Sequence, residues 1–323
     1  MKAAVITDKY ELDIKDLPVP EIGQNQVLIR NKACAICNTT DIKLYKGMSD
    51  QCKYPFIIGH EGAGIVEKIG YNVANVKPGD CVLSGGYPAT AGMNSIWGQL
   101  CEYGVEEAKN LIFIPSGTSL EHAACAHMLA ETLNAIGIGE VKPGENILII
   151  GAGAVGISLL TLLKHSFSRK VIMLDILQEK RDYAMAFGAD AVFDPGDPEL
   201  FNKINDVAGL QGISLIYEAV GRQETYNLAF DLIARRGRIV GFGVLENTLE
   251  VPFKKMMRKE AQVRWSLAGG TDPRGNRQIV LNMINKNLID VNKLITSRIK
   301  LDNINEGFKR VMKGKEIRVI VEI

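Results

Sequence analysis

Cys37, His60, Glu61 and Glu131 are the side chains of this sequence whose types and spacing offer metal chemistry. Zinc takes thiolate, imidazole and carboxylate in a tetrahedron, and three protein ligands with one exchangeable position make a catalytic site. Each residue alone has a plainer reading. His60 and Glu61, in GHEG between the apolar runs FII and AGIVEKIG, read as a buried polar pair beside a strand. Glu131, in HMLAETLNAIG, reads as a glutamate tolerated at a helix edge. Cys34 and Cys37, in CAICNTTDIKLYKG, read as core thiols. Only convergence of the set on one point separates a metal centre from four unrelated residues. Of the other histidines, His165 reads as a cation at a helix C-terminus. His122 and His127 flank the helix start LEHAACAHMLAETL and read as caps or solvent-facing side chains.

A second constellation is Gly151-Ala152-Gly153-Ala154-Val155-Gly156, between the apolar strand ILII and the apolar helix ISLLTLL. In such a turn the first glycine permits the tight bend and the second lets a pyrophosphate approach the backbone. The third lets helix and strand pack closely. The helix N-terminus offers free N–H groups and a positive dipole end to the phosphates. A glycine turn alone is weak, and a purely structural turn is the other reading. Here Asp175 ends the next strand, where a carboxylate holds the ribose 2′-hydroxyl and repels a 2′-phosphate. The first arginine after it is Arg181, so the pattern points to NAD(H) over NADP(H).

The elements that must position these residues follow from patterning. In 323 residues, 46% hydrophobic, there is room for roughly two domains with sizeable cores. Lys plus Arg number 38 against 37 Asp plus Glu, which gives no reason to expect nucleic acid or an anionic membrane as partner. No apolar run reaches the roughly 20 residues of a spanning helix. The N-terminal stretch has no signal-peptide core, so the six cysteines read as reduced thiols of a cytoplasmic protein. KAAVIT, QVLIRNKACA, GAGIVEKIG and DCVLSGG read as short strands of a barrel-like β domain. From residue 145 on, strands alternate with helices, including NLAFDLIARRG as a helix, which means a parallel sheet covered on both faces. The C-terminal segments RQIVLNMINKNL, INEGFKRVMKG and IRVIVEI are expected to return to the first domain. The α/β domain is then an insertion.

Taken in order, these segments resemble the medium-chain dehydrogenase/reductase family, in its zinc-dependent alcohol and polyol branch. The resemblance runs over nearly the whole chain, through CAICNTTDIKLYKG, YPFIIGHEGAGIVEKIG, KPGDCV, WGQLCEY, LAETLNAI, GAGAVG with Asp175, YEAVG, GRIVGFGV and LITSRI. It implies a GroES-like β-barrel catalytic domain, residues 1–124 and 266–323, with an inserted Rossmann domain, a doubly wound parallel sheet, over 125–265. It implies Cys37 and His60 as ligands of one catalytic zinc, with Glu61 or Glu131 completing the shell or holding a water. Cys34 is then only packed. It places NAD(H) against Gly151, Gly153, Ala154, Val155, Gly156 and Asp175, with the nicotinamide near Ala219, Gly221, Gly241 and Gly243 and with Arg298 near the cleft.

Three departures from the family pattern stand out. CNTTD is one residue longer than CGTD, which leaves Thr39, favoured by position, or Thr40 as the proton-relaying hydroxyl. Lys43 replaces a frequent histidine. YPATAGMNSI holds no cysteine where a four-cysteine structural-zinc lobe would stand, so one zinc per chain is expected. The resemblance implies hydride transfer between NAD and a secondary alcohol, polyol or cyclitol, in a homodimer or homotetramer. Two rivals are a zinc-free quinone or enone reductase of the same fold and a non-catalytic NAD(H)-binding protein.

Overall fold

The computed structural model describes residues 1–87, 92–165, 168–244, 248–267 and 270–323. The chain divides into two bodies, Met1–His127 with Arg277–Ile323, and Met128–Asn276. Both boundaries fall inside helices, Ala126–Gly139 and Pro273–Asn285.

In the first body, alternating and continuous apolar runs become two sheets. One has the order Glu11–Asp16, Lys2–Asp8, Phe56–Ile57, Asn94–Ser95. The other runs Ile295–Lys300, Arg318–Glu322, Gln26–Ile36, Gly62–Ile69, Cys81–Leu83, Ile112–Phe113, with Tyr103–Glu107 also on Gln26–Ile36. Its centre is the antiparallel pair Gln26–Ile36 and Gly62–Ile69, in which Cys34 faces Gly62. On the other side of Gln26–Ile36, Arg318–Glu322 runs antiparallel with Val319 facing Ile36. Cys34 is fully buried in the cluster around Ile36, Phe56, Phe308 and Val321, the packing role the sequence implies for it.

The second body is a six-stranded parallel sheet in the order Ala191–Phe193, Lys170–Leu174, Asn146–Ile150, Ile213–Glu218, Ile233–Gly241, Gln262–Trp265. Every residue of Asn146–Ile150 is buried, as a strand covered on both faces requires. Read in chain order these strands stand 3-2-1-4-5-6, the doubly wound arrangement, and the expected fold class is borne out. One reading is corrected. NLAFDLIARRG is not helical throughout: the helix is Gln223–Leu232, and Ile233 already begins the next strand. Arg236 takes a φ of 61° there, and the register shifts between Ile213 and Leu215. A charged RRG bend thus interrupts an apolar strand and hides its start.

Candidate functional site

The metal group is built by strand register. Cys37 follows the end of Gln26–Ile36, and His60 and Glu61 precede the start of its antiparallel partner Gly62–Ile69, so pairing brings the two loops together. The Ala35 N–H donates to the Glu61 carbonyl oxygen at 3.1 Å. Gly59 holds a φ of 106°, and a Cβ there would fall 2.8 Å from the Leu100 backbone nitrogen. No other residue type fits the bend that turns His60 inward. One donor atom each from Cys37, His60 and Glu61 lies within 4.8 Å of the others, the only such group among the described residues.

Buried charges surround this group. Asp41 is fully buried; its Oδ2 accepts the Cys37 N–H at 2.8 Å and its Oδ1 lies 3.1 Å from His60 Nδ1. His60 Nε2 faces Glu61 Oε1 at 3.8 Å. A carboxylate behind one imidazole nitrogen orients the ring and leaves the other for a metal. Arg318 is 1% exposed and pairs with Glu61. Glu61 Oε2 meets the Arg318 guanidinium, while the buried Oε1, on the His60 side, accepts no hydrogen bond, which fits an oxygen left for a cation. Burial alone would raise the Cys37 thiol, but the hydrogen bond and charge of His60 outweigh it and lower its pKa. Burial pulls His60 down, yet Asp41 and Cys37 push it up to about 10. The metal-free group thus holds a proton on His60 and eases the loss of one from Cys37. A thiolate, an imidazole and a carboxylate are the donor set zinc prefers, and the three residues fit that ion.

The remaining sequence-derived residues fall as follows. Glu131 is carried by the helix Ala126–Gly139, on the part of it that belongs to the second body. Thr39 occupies the N-cap position of the short helix Thr40–Tyr45 and makes no capping bond. The Thr40 N–H donates to Cys37 Sγ at 3.3 Å. Arg298 Nε donates to Glu121 at 2.8 Å. His122 behaves as read from sequence: it is partly exposed and bonds Asn292 at 3.0 Å. His127 does not. Its ring meets that of His60 edge-on, with centroids 5.2 Å apart. Trp97 is 37% exposed, with its ring 5.0 Å from that of His60. Residues 88–91, in the stretch where the family's four-cysteine lobe would stand, lie outside the described residues. Asp41, Arg318 and His127 are the members that sequence reasoning missed. A lone arginine in the apolar run IRVIVEI was the one available signal.

In the second body, Gly151 follows Asn146–Ile150, and Gly153 caps the helix Ala154–Leu163, which carries Ala154, Val155 and Gly156. A Cβ on Gly156 would fall 1.8 Å from the Gly151 carbonyl oxygen, so helix and turn meet only through a bare backbone. Asp175 accepts from the Ala152 and Leu177 N–H groups, each at 2.9 Å. Arg181 turns to the Asp175 carbonyl oxygen and to Asp194. The Lys180 ammonium stands 4.0 Å from where a Gly153 Cβ would be. Glu218 accepts from the Val220 and Gly221 N–H groups and from Thr225, which holds the Ala219–Gly221 loop. A Cβ on Gly243 would fall 2.1 Å from the Gly221 nitrogen, so the two expected nicotinamide loops touch. A tight turn at a helix N-terminus with a carboxylate at the next strand end fits a dinucleotide.

Comparisons with known proteins agree with both halves. A family model described as "Alcohol dehydrogenase GroES-like domain" matches residues 23–116, and one described as "Zinc-binding dehydrogenase" matches 154–286. The chain belongs to the zinc-binding, medium-chain dehydrogenase family. It is 27% identical to sorbitol dehydrogenase of Bombyx mori, over 99% of this chain and 98% of that one. It is 26% identical to D-arabitol-phosphate dehydrogenase of Enterococcus avium, over 95% and 92%. The structure of benzyl alcohol dehydrogenase from Acinetobacter calcoaceticus superposes with a TM-score of 0.90 at 21% identity, over 100% and 99% of the chains, a likeness of fold.

Proposed function

We propose that this protein is a zinc-dependent, NAD(H)-linked dehydrogenase of secondary alcohols or polyols, with one catalytic ion per chain. The observation that carries the reading is the buried trio Cys37, His60 and Glu61, with Asp41 behind His60, in a chain that also holds the GAGAVG turn and Asp175. Buried ionisable groups are costly unless paired or metal-bound, and such clusters mark functional sites.

A zinc ion held there would supply the Lewis acid that lowers the pKa of a substrate hydroxyl, and NAD(H) would supply the hydride acceptor for its carbinol carbon. Cys37, His60 and Glu61 hold the ion, and Asp41 fixes the His60 ring through Nδ1. Arg318 keeps Glu61 charged and in place. Glu131 is an alternative carboxylate for the shell or for a water. Thr39, or Thr40 beside it, takes the hydroxyl proton toward solvent. Asp175 holds the adenosine ribose, and Gly151 to Gly156 present N–H groups to the pyrophosphate. Ala219, Gly221, Gly241 and Gly243 form the nicotinamide surface, and Arg298 serves the cofactor from its strand. Residues 1–124 with 266–323 make the catalytic domain and 125–265 the cofactor domain.

No helix among the described residues is long and apolar enough to cross a membrane. The six cysteines are all free, in keeping with a cytoplasmic enzyme, and a homodimer or homotetramer is the assembly we assign.

A panel of polyols and secondary alcohols, read by NADH absorbance with zinc measured on the same sample, tests the reading. Turnover with bound zinc is expected, and Cys37→Ser and His60→Ala each abolish it while NADH binding survives. A protein that reduces quinones without zinc, or binds zinc and oxidises nothing, overturns it.

A further inference from the structure

The loop that carries two of the three metal residues is closed at both ends by one residue that the mechanism above does not use. Gln99 is fully buried. Its N–H donates to the Gly59 carbonyl oxygen at 2.9 Å, and its Oε1 accepts the Gly62 N–H at 2.6 Å. Gly59 and Gly62 flank His60 and Glu61, so Gln99 bonds the residue before the pair and the residue after it. Its Nε2 donates to the Ser84 hydroxyl and, at 3.3 Å, to the Ser84 carbonyl oxygen. Ser84 follows the strand Cys81–Leu83, which pairs with Gly62–Ile69. The amide therefore ties the His60–Glu61 loop to the sheet on which it stands.

The orientation of that amide is fixed by its partners. A backbone N–H only donates and a carbonyl oxygen only accepts, so Oε1 must face Gly62 and Nε2 must face Ser84. An apolar side chain there would leave both partners buried and unmet. The loop also lies tight against the same stretch of chain. A Cβ on Gly62 would fall 2.9 Å from Gln99 Oε1, as one on Gly59 would fall 2.8 Å from the Leu100 nitrogen. Just before Gln99, Trp97 and Gly98 hold φ of 59° and 57°. A tryptophan stays in the left-handed region only where its surroundings over-determine it. Here the Ile96 N–H donates to the Ile57 carbonyl oxygen and the Leu100 N–H to that of Ile58, each at 2.9 Å. The left-handed pair between these two bonds turns the chain so that Gln99 comes back against the loop.

Metal ligands keep their geometry when the groups behind them are locked. Asp41 does this for the His60 ring. Resting on the metal reading above, we propose that Gln99 is the positioning residue for the backbone that carries His60 and Glu61. It holds the Gly59–Gly62 loop closed before the ion arrives, so that zinc meets the imidazole and the carboxylate already beside Cys37. Gln99 touches neither ion nor substrate, and its loss shows in metal affinity and coordination geometry.

Metal binding by the whole, zinc-stripped chain decides this. Gln99→Met fills nearly the same volume without the amide. It is expected to bind zinc about 10- to 100-fold more weakly in competition with a chromophoric chelator. With Co(II) in place of zinc, its d–d and thiolate-to-metal bands shift or lose intensity at saturation. Asn31→Leu is the control, since Asn31 is a buried amide of the same body bonded to Cys101 and Tyr87 rather than to the loop. It is expected to lower the unfolding temperature while zinc affinity and cobalt bands stay at the wild-type level. Wild-type affinity and bands in Gln99→Met overturn the proposal. So does an equal loss in Asn31→Leu, which makes the effect that of any buried polar lesion. Should Gln99→Met fail to fold, Ser84→Ala, which removes one anchor of the amide, carries the test. Weaker zinc binding with altered cobalt bands there supports the proposal, and wild-type behaviour overturns it. A wild type that binds neither zinc nor cobalt overturns the metal reading itself, and the positioning role with it.

Discussion

At the residue scale the metal group is a proton-exchange device. In the metal-free protein Asp41 and Cys37 hold a proton on His60 up to about pH 10. That imidazolium stabilises the metal-free fold fully below the ordinary histidine value of 6.5, and the contribution is lost as pH rises through about 10. Ligation needs the neutral ring, so zinc expels the proton, and zinc affinity rises about tenfold per pH unit across the neutral range. Asp41→Asn removes the charge that holds the proton and the acceptor that orients the ring. Its expected signature is a flatter pH slope with affinity about 10- to 100-fold weaker at pH 8. Competition with a chromophoric chelator from pH 6 to 9 measures both, and a wild-type affinity independent of pH contradicts the assignment of His60.

At the element scale each site is made where a strand ends. The parallel strands of the second body deliver Gly151, Asp175, Ala219 and Gly241 at or just past their C-terminal ends, where the doubly wound fold binds ligands. The helix Ala154–Leu163 reaches the first strand only because Gly156 lacks a Cβ. Gly156→Ala pushes that helix away from the turn and weakens NADH binding by more than about tenfold, a loss of about 1.4 kcal/mol. Zinc content is unaffected, since the metal residues belong to the other body. Fluorescence titration with NADH beside metal analysis separates the two, and a variant that binds NADH normally removes the glycine turn from the cofactor site.

At the scale of the whole molecule the two bodies have separate cores, one set around Phe56 and Phe308 and one around Leu148 and Phe230. Ligands that bind the native state stabilise it by mass action, about 2.7 kcal/mol at a hundredfold excess over Kd. Zinc is expected to raise the unfolding temperature of the first body and NADH that of the second. Scanning calorimetry of the zinc-stripped protein, with each added in turn, reads this as two transitions moving independently. A single transition that responds equally to both counts against the division of labour.

The sequence by itself determined what is local. GAGAVG between ILII and ISLLTLL announced its turn, because the glycine spacing, the flanking strand and the helix all lie within some twenty residues. Cys37 and the GHE segment were legible for the same reason, their order being carried by short motifs. The tertiary structure alone decided the company these residues keep. Arg318 reaches Glu61 because the C-terminal strand pairs with Gln26–Ile36 in the register that sets Val319 against Ile36. His127 meets the ring of His60 edge-on, a neighbour that nothing in its own stretch of sequence announced. Strand register and helix packing join residues far apart in the chain, and hydrophobic periodicity, which tells a residue's face, carries no record of which distant face it will meet.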